Sequence, residues 1–223
     1  YLPYERPPLS KDYILEKVVF NDLLFFPENF YLENNINFIG STKITKVNFD
    51  NKIISSSLNS YEYDQLLIAT GSSNRHLVIN EKKILPEENI IYLRDFYESN
   101  ILKDKINKAK NITIIGGGFI GLEIASSAVQ KGKNITVLER ADQLMGRVIP
   151  LKIANLIQEK HESMGTKINL NVKIKNIEQK NEAFTIYYNN EILLSDLIII
   201  GVGSAPNTEI FRNTSLKIDN GIL

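Results

Sequence analysis

Three glycines and one carboxylate carry the clearest chemistry in this sequence. Gly116, Gly118 and Gly121 stand in the pattern G-x-G-x-x-G, directly after the apolar run Asn111 to Ile115 and at the opening of a helical stretch. Each glycine has its own reason. Gly116 permits a tight turn, Gly118 removes the Cβ that would block a pyrophosphate, and Gly121 lets the helix lie close on a sheet. A helix opening at Phe119 and Ile120 points free N–H groups and its positive dipole end at that diphosphate, with no lysine required. Glu139 ends the next apolar run, 18 residues past Gly121. A carboxylate there accepts both hydroxyls of the adenosine ribose and repels a 2′-phosphate, which favours NADH. Arg140 follows directly and softens that repulsion in principle. A bare glycine pattern is weak, but here strand, helix, second strand and acidic end agree.

The elements that must position these residues follow from periodicity. Asn111 to Ile115, Phe119 to Lys131, Asn134 to Glu139 and Pro150 to Met164 alternate strand, helix, strand, helix. Ile90 to Leu93 forms a short strand, and Asp95 to Ala109 a helix. Two or three strands lie between Lys167 and Leu194, with a turn at Asn189-Asn190, and Leu197 to Ile200 is a buried strand leading into Gly201-Val202-Gly203. Upstream, Tyr1 to Ser10 holds three of the seven prolines, which predicts an extended loop. Ser10 then caps a short helix over Lys11 to Leu15, and another runs over Glu28 to Asn34. From Ile36 to Ala69 the pattern is β, with a hairpin turn at Asp50-Asn51 and a buried strand over Leu66 to Ala69, ending at Thr70-Gly71. The stretches YDQLLIATGS and LSDLIIIGVGS resemble each other, as if two domains shared one architecture.

Composition narrows the function. The chain's 26 basic and 26 acidic residues cancel, so no net field draws it to nucleic acid or an anionic membrane, and neither is an expected partner. No run approaches the roughly 20 apolar residues of a bilayer span. With no cysteine, structural disulfides, thiolate metal sites and thiol catalysis are excluded, and a reducing compartment, the cytoplasm, is the expected location. His76 and His161 have no partner at ligand or triad spacing, so no metal site is expected. The chain starts with Tyr, and no leader sequence is read in it.

Six motifs now carry a resemblance: PYERPPLSK (3–11), YDQLLIATGS (63–72), IYLRD (91–95), IIGGGFIGLEIA (114–125), VLERADQLMGRVIP (137–150) and GVGSAPNTEI (201–210). In this order they resemble the pyridine nucleotide-disulfide oxidoreductases, flavoproteins with two dinucleotide-binding domains. The likeness is strongest to the ferredoxin/rubredoxin reductases, with monodehydroascorbate reductase and apoptosis-inducing factor as relatives. The resemblance implies an α/β fold of two Rossmann-like, three-layer domains, each a parallel sheet with a β-meander crossover. An NAD-binding domain over 96–202 would be inserted in an incomplete FAD-binding domain over 1–95 and 203–223.

The resemblance also implies roles. Arg6 and Lys11 would lie against the flavin, Lys11 near its redox-active edge, and Glu123 beside the nicotinamide within reach of that lysine. Thr70 and Gly71 match the turn that approaches FAD. Gly201, Val202 and Gly203, with Pro206, match the turn that closes over the NAD, and Arg94 matches a residue near the domain crossing. Where other members carry a reactive cysteine this chain has Pro7-Pro8-Leu9, so electrons would leave the flavin directly for an iron–sulfur acceptor of ferredoxin or rubredoxin type. The family's first glycine motif for FAD, its later Gly-Asp motif and its C-terminal domain are not in this sequence, which is therefore expected to be a reductase fragment. The alternatives are a non-catalytic nucleotide-responsive protein of apoptosis-inducing-factor type and an inactive NADH-binding fragment.

Overall fold

The strand and helix alternation of the second half builds one parallel sheet. The computed structural model describes residues 1–223 apart from Arg147 and Glu182, so the Arg147 of the VLERADQLMGRVIP motif lies outside the described residues. The chain divides into two units, one of Glu5–Leu23 with Asn74–Gly203 and one of Tyr1–Tyr4, Leu24–Ser73 and Ser204–Leu223. Two stretches that the sequence reading groups with 1–95, Glu5–Leu23 and Asn74–Asp95, thus pack with the nucleotide motif. The cause is long-range pairing: Ile90–Tyr92 joins the parallel sheet, and buried hydroxyls on two helices hold the backbone at Leu9 and Ser10.

In the larger unit the elements run β1 (Ile90–Tyr92), α1 (Phe96–Lys108), β2 (Asn111–Ile115), α2 (Phe119–Gln130), β3 (Asn134–Leu138), α3 (Leu151–Ser163) and β4 (Thr166–Asn169). They continue with β5 (Ile174–Lys180), β6 (Ala183–Tyr188), β7 (Glu191–Ser195) and β8 (Leu197–Ile200). The five-stranded sheet has the order β4-β3-β2-β8-β1, and its pairs are all parallel. Strands buried on both faces need continuous apolar runs, which Asn111 to Ile115 and Leu197 to Ile200 supply. Ile112, Ile114, Val137 and Ile199 face Leu102 and Ile106 of α1 and Ile124, Ala125 and Ala128 of α2. Ile115, Leu138, Ile198 and Ile200 face Phe184, Ile186 and Tyr188 of the antiparallel meander β5-β6-β7. The alternation of strand side chains therefore yields helices, sheet and meander as three layers, as the resemblance implies.

Local sequence fixes the helix starts. Asp95 and Glu98 form a reciprocal capping box at α1, and Gly118 is the N-cap of α2. Among the described residues no helix is long and apolar enough to cross a membrane.

Three expectations are corrected. Pro7–Ser10 is a 3-10 helix rather than an extended loop, because proline at the first helical positions has its φ preset and its missing N–H would be unpaired anyway. Lys11 to Leu15 forms turns, not a capped helix, since Ser10 closes the helix before it. In the smaller unit, strands Ile44–Asn48, Ile53–Ser56 and Ser60–Glu62 form an antiparallel meander, whereas Leu66 to Ala69 is not a strand and Leu67 is 90% exposed. Among the described residues no strand pairs with that run, and an apolar sequence without a hydrogen-bonding neighbour cannot form a buried strand.

The three-layer packing sets a stability expectation. Phe184→Ala, at a site only 1% exposed, should cost about 3–5 kcal/mol in urea unfolding, while Leu194→Ala on the open side of β7 should stay within about 0.5 kcal/mol. Equal losses would contradict the placement of the core between sheet and meander.

Candidate functional site

The three glycines meet at the carboxyl ends of β2 and β8. Gly116 adopts φ +110°, a conformation that side-chain-bearing residues avoid, and a Cβ there would overlap the Gly201 carbonyl. A Cβ on Gly121 would overlap the Gly116 carbonyl and press on Ile114. Gly201 N–H in turn donates to the Ile115 carbonyl at 2.8 Å. These are steric requirements of strand end against helix. Gly118 differs, because a Cβ built on it meets nothing within 4 Å. The chain itself does not need a glycine there; the open space lies at the N-cap of α2, where N–H groups of the first turn lack intrahelical partners. A ligand diphosphate fits that space and that polarity. Phe119 and Ile120 flank it with rings and methyls 53% and 40% exposed.

Glu139 is built into the same cradle. One carboxylate oxygen accepts the Gly117 N–H at 2.5 Å and the other the Ala141 N–H at 2.7 Å. Two backbone donors hold the carboxylate in place and leave lone pairs on both oxygens for hydroxyl donors. Gly117, which the sequence reading left without a role, is confined by this arrangement: its Cβ would press on Leu144 and on Glu139. Arg140, next in sequence, is exposed.

A second cluster lies on the same unit. Lys11 Nζ meets Glu123 Oε1 at 2.9 Å, with side chains 46% and 28% exposed. Arg6, Pro7, Leu9, Ser10, Leu93, Arg94, Ile120 and Glu123 line one cleft, so the predicted residues Arg6, Ile120 and Glu123 come together over an apolar floor. Gly203, at φ +106°, ends the β8 turn after Val202, and its carbonyl accepts the Arg75 N–H at 2.9 Å.

Thr70 and Gly71 lie in the smaller unit. Thr70 Oγ1 donates to the Asn207 carbonyl at 2.7 Å, Asn207 Nδ2 returns a bond to the Thr70 carbonyl at 2.9 Å, and the Asn207 N–H donates to Gly71 at 3.0 Å. Asn207 therefore clamps the predicted turn, a role sequence reasoning missed although Asn207 directly follows Pro206. Ser10, Ser99 and Ser127 were missed as well. Their signal was a polar residue among buried apolar ones, as with Ser99 beside Leu102 and Ile106 on one face of α1.

With this geometry in hand, the comparisons with known proteins are decisive about family. The description "Pyridine nucleotide-disulphide oxidoreductase" matches residues 1–223. The chain belongs to this family. The rubredoxin-NAD(+) reductase of Pseudomonas putida is 33% identical over 224 residues, covering 99% of this chain and 57% of that protein. A ferredoxin reductase of Rhodopseudomonas palustris, solved for the CYP199A2 system, superposes with a TM-score of 0.91 at 33% identity, over 100% of this chain and 55% of that one. Putidaredoxin reductase in its covalent complex with putidaredoxin gives a TM-score of 0.93 at 27% identity, over 99% of this chain and 54% of the other. The chain spans about half the length of these relatives.

The steric contrast between two glycines is testable. Gly116→Ala should cost at least about 3 kcal/mol in chemical unfolding, from backbone overlap and strain together, whereas Gly118→Ala should cost about 1 kcal/mol or less. Circular dichroism in urea checks both, and a stable Gly116→Ala variant would contradict the described turn.

Proposed function

We propose that this chain carries the NADH site and part of the FAD site of a flavoprotein reductase that passes electrons to an iron–sulfur acceptor of ferredoxin or rubredoxin type. The observation that carries the reading is the Lys11–Glu123 ion pair at 2.9 Å, formed two residues past Gly121 on the helix whose N-terminus opens on the Gly118 space. Family membership supports it, and the names of the similar rubredoxin and putidaredoxin reductases support the acceptor class. The net reaction would be NADH plus two oxidised one-electron acceptors giving NAD⁺, a proton and two reduced acceptors. FAD, when bound, supplies the conversion of a two-electron hydride into single electrons.

The protein's own part is binding, orientation and exclusion of water. The first turn of α2 and Gly118 hold the diphosphate of the nucleotide, and Glu139 takes the adenosine ribose hydroxyls. Glu123 would orient the nicotinamide end, and Lys11, paired with that carboxylate, would with Arg6 help to hold the flavin. Pro7, Leu9, Leu93 and Ile120 keep water from the reacting centre. Thr70 and Gly71 contribute to the FAD side, and Gly201, Val202 and Gly203 close the nucleotide side. The assignment of 96–202 to NAD and of 1–95 with 203–223 to FAD belongs to this proposal.

Anaerobic addition of NADH to the complete FAD-loaded protein should bleach the flavin absorbance within seconds; an unbleached flavin would sink the reductase reading. Glu139→Gln keeps a hydrogen-bond acceptor but loses the charge, and should weaken NADH binding about tenfold, roughly 1.4 kcal/mol, while narrowing the gap to NADPH. A calorimetric titration with each nucleotide measures this, and unchanged NADH affinity would argue against Glu139 as the ribose ligand.

A further inference from the structure

The segment that presents Lys11 is held by three serine hydroxyls. Ser99 on α1, with no exposed surface, donates to the Leu9 carbonyl at 2.7 Å. Ser127 on α2, 2% exposed, donates to the Ser10 carbonyl at 2.9 Å. Two helices thus fix consecutive peptide units of the 3-10 helix immediately before Lys11. Both serines sit on the apolar faces of their helices, where an unpaired hydroxyl is costly, so the serines and the segment that satisfies them are mutually required.

The third hydroxyl acts on the carboxylate itself. Ser10 Oγ donates to Glu123 Oε2 at 2.6 Å, a length typical of an O–H group bonded to an ionised oxygen. The other acceptor within its reach, the Pro7 carbonyl, is at 3.4 Å, so Glu123 is the better partner. Adjacent residues therefore use the two oxygens of one carboxylate, Ser10 taking Oε2 and Lys11 taking Oε1. Ser10 is 4% exposed, which shields its bond from water. Lys11 and Glu123 are partly exposed, and an ion pair of that kind holds its geometry poorly when left to itself.

We propose that Ser10 is a positioning residue for hydride transfer: its hydroxyl fixes the Glu123 carboxylate so that the second oxygen holds Lys11, while Ser99 and Ser127 fix the backbone that carries both residues. This rests on the reading of Lys11 and Glu123 given above. An aliphatic residue at position 10 leaves Oε2 without its donor, the carboxylate rotates about its last torsion, and the lysine is released.

The test uses the complete FAD-loaded protein with the variants S10A, E123A and S10A/E123A. Anaerobic flavin bleaching by NADH gives the rate, titration gives the NADH dissociation constant, and a crystal structure of S10A gives the Lys11–Glu123 distance. S10A should slow bleaching roughly tenfold with the dissociation constant changed less than about twofold, and in the E123A background it should cost less than about twofold further. In the S10A crystal the Lys11–Glu123 distance should exceed the 2.9 Å seen here by more than an ångström. If S10A fails to fold, S10C replaces it with the same expected loss, since a thiol fills the space but donates weakly. Equal losses with and without Glu123, a wild-type rate in S10A, or an unchanged ion pair in its crystal structure would each overturn the proposal. Absence of bleaching in the unmodified protein would instead overturn the reductase reading on which it rests.

Discussion

The constraint on which the rest of the larger unit depends is the close approach of two strand ends and one helix, with no side chain between them. Gly116 turns at positive φ against the Gly201 carbonyl, and Gly121 lies on the Gly116 carbonyl. That contact lets α2 start where β2 stops, so the helix N-terminus points over the end of the sheet. Everything polar in the cradle follows. The Gly117 N–H is left for Glu139, the loop after β3 is drawn back to the sheet through Met145 N–H and the Gly117 carbonyl at 3.0 Å, and Gly118 faces open space. A single larger residue at Gly116 or Gly121 would separate strand from helix, and with it remove the geometry of the site.

The apolar core and the polar anchors divide the work. Burial of Ile114, Val137 and Ile199 against α1 and α2 places the helices, but apolar packing is non-directional and does not fix a short 3-10 helix to a fraction of an ångström. Hydrogen bonds do. Ser99 and Ser127 place the Leu9 and Ser10 peptides, and Ser10 with Lys11 then place the Glu123 carboxylate. The proposed site needs such precision, and rigid elements supply it: Glu123 stands on α2, and the segment that carries Lys11 is tied to α1 and α2.

What the sequence made legible was mainly local. The glycine spacing, the apolar strands of the larger unit and the acidic end at Glu139 each have a short-range physical cause, and these elements appear where periodicity places them. The 3-10 helix at Pro7–Ser10 was missed because proline is both a helix breaker and a favoured first-turn residue, and only the chain around it decides which applies. Leu66 to Ala69 misled because an apolar β-prone run specifies a strand only when a neighbour supplies hydrogen bonds, a non-local condition. The roles of Ser99, Ser127 and Asn207 depend on partners 90, 117 and 137 residues away. The serines had a faint signal in their place on apolar helical faces; Asn207 had none beyond its neighbour Pro206.

In the proposed function the cradle of Gly116, Gly118 and Gly121 with Glu139 holds NADH and delivers its nicotinamide to the cleft lined by Glu123. A crystal structure of the complete protein with NADH bound tests it most directly. The diphosphate is expected on the first-turn N–H groups of α2, the adenosine ribose on Glu139 and the nicotinamide beside Glu123. Ordered nucleotide with its phosphates away from Gly118, or with Glu139 still bonded only to the backbone at Gly117 and Ala141, would contradict it.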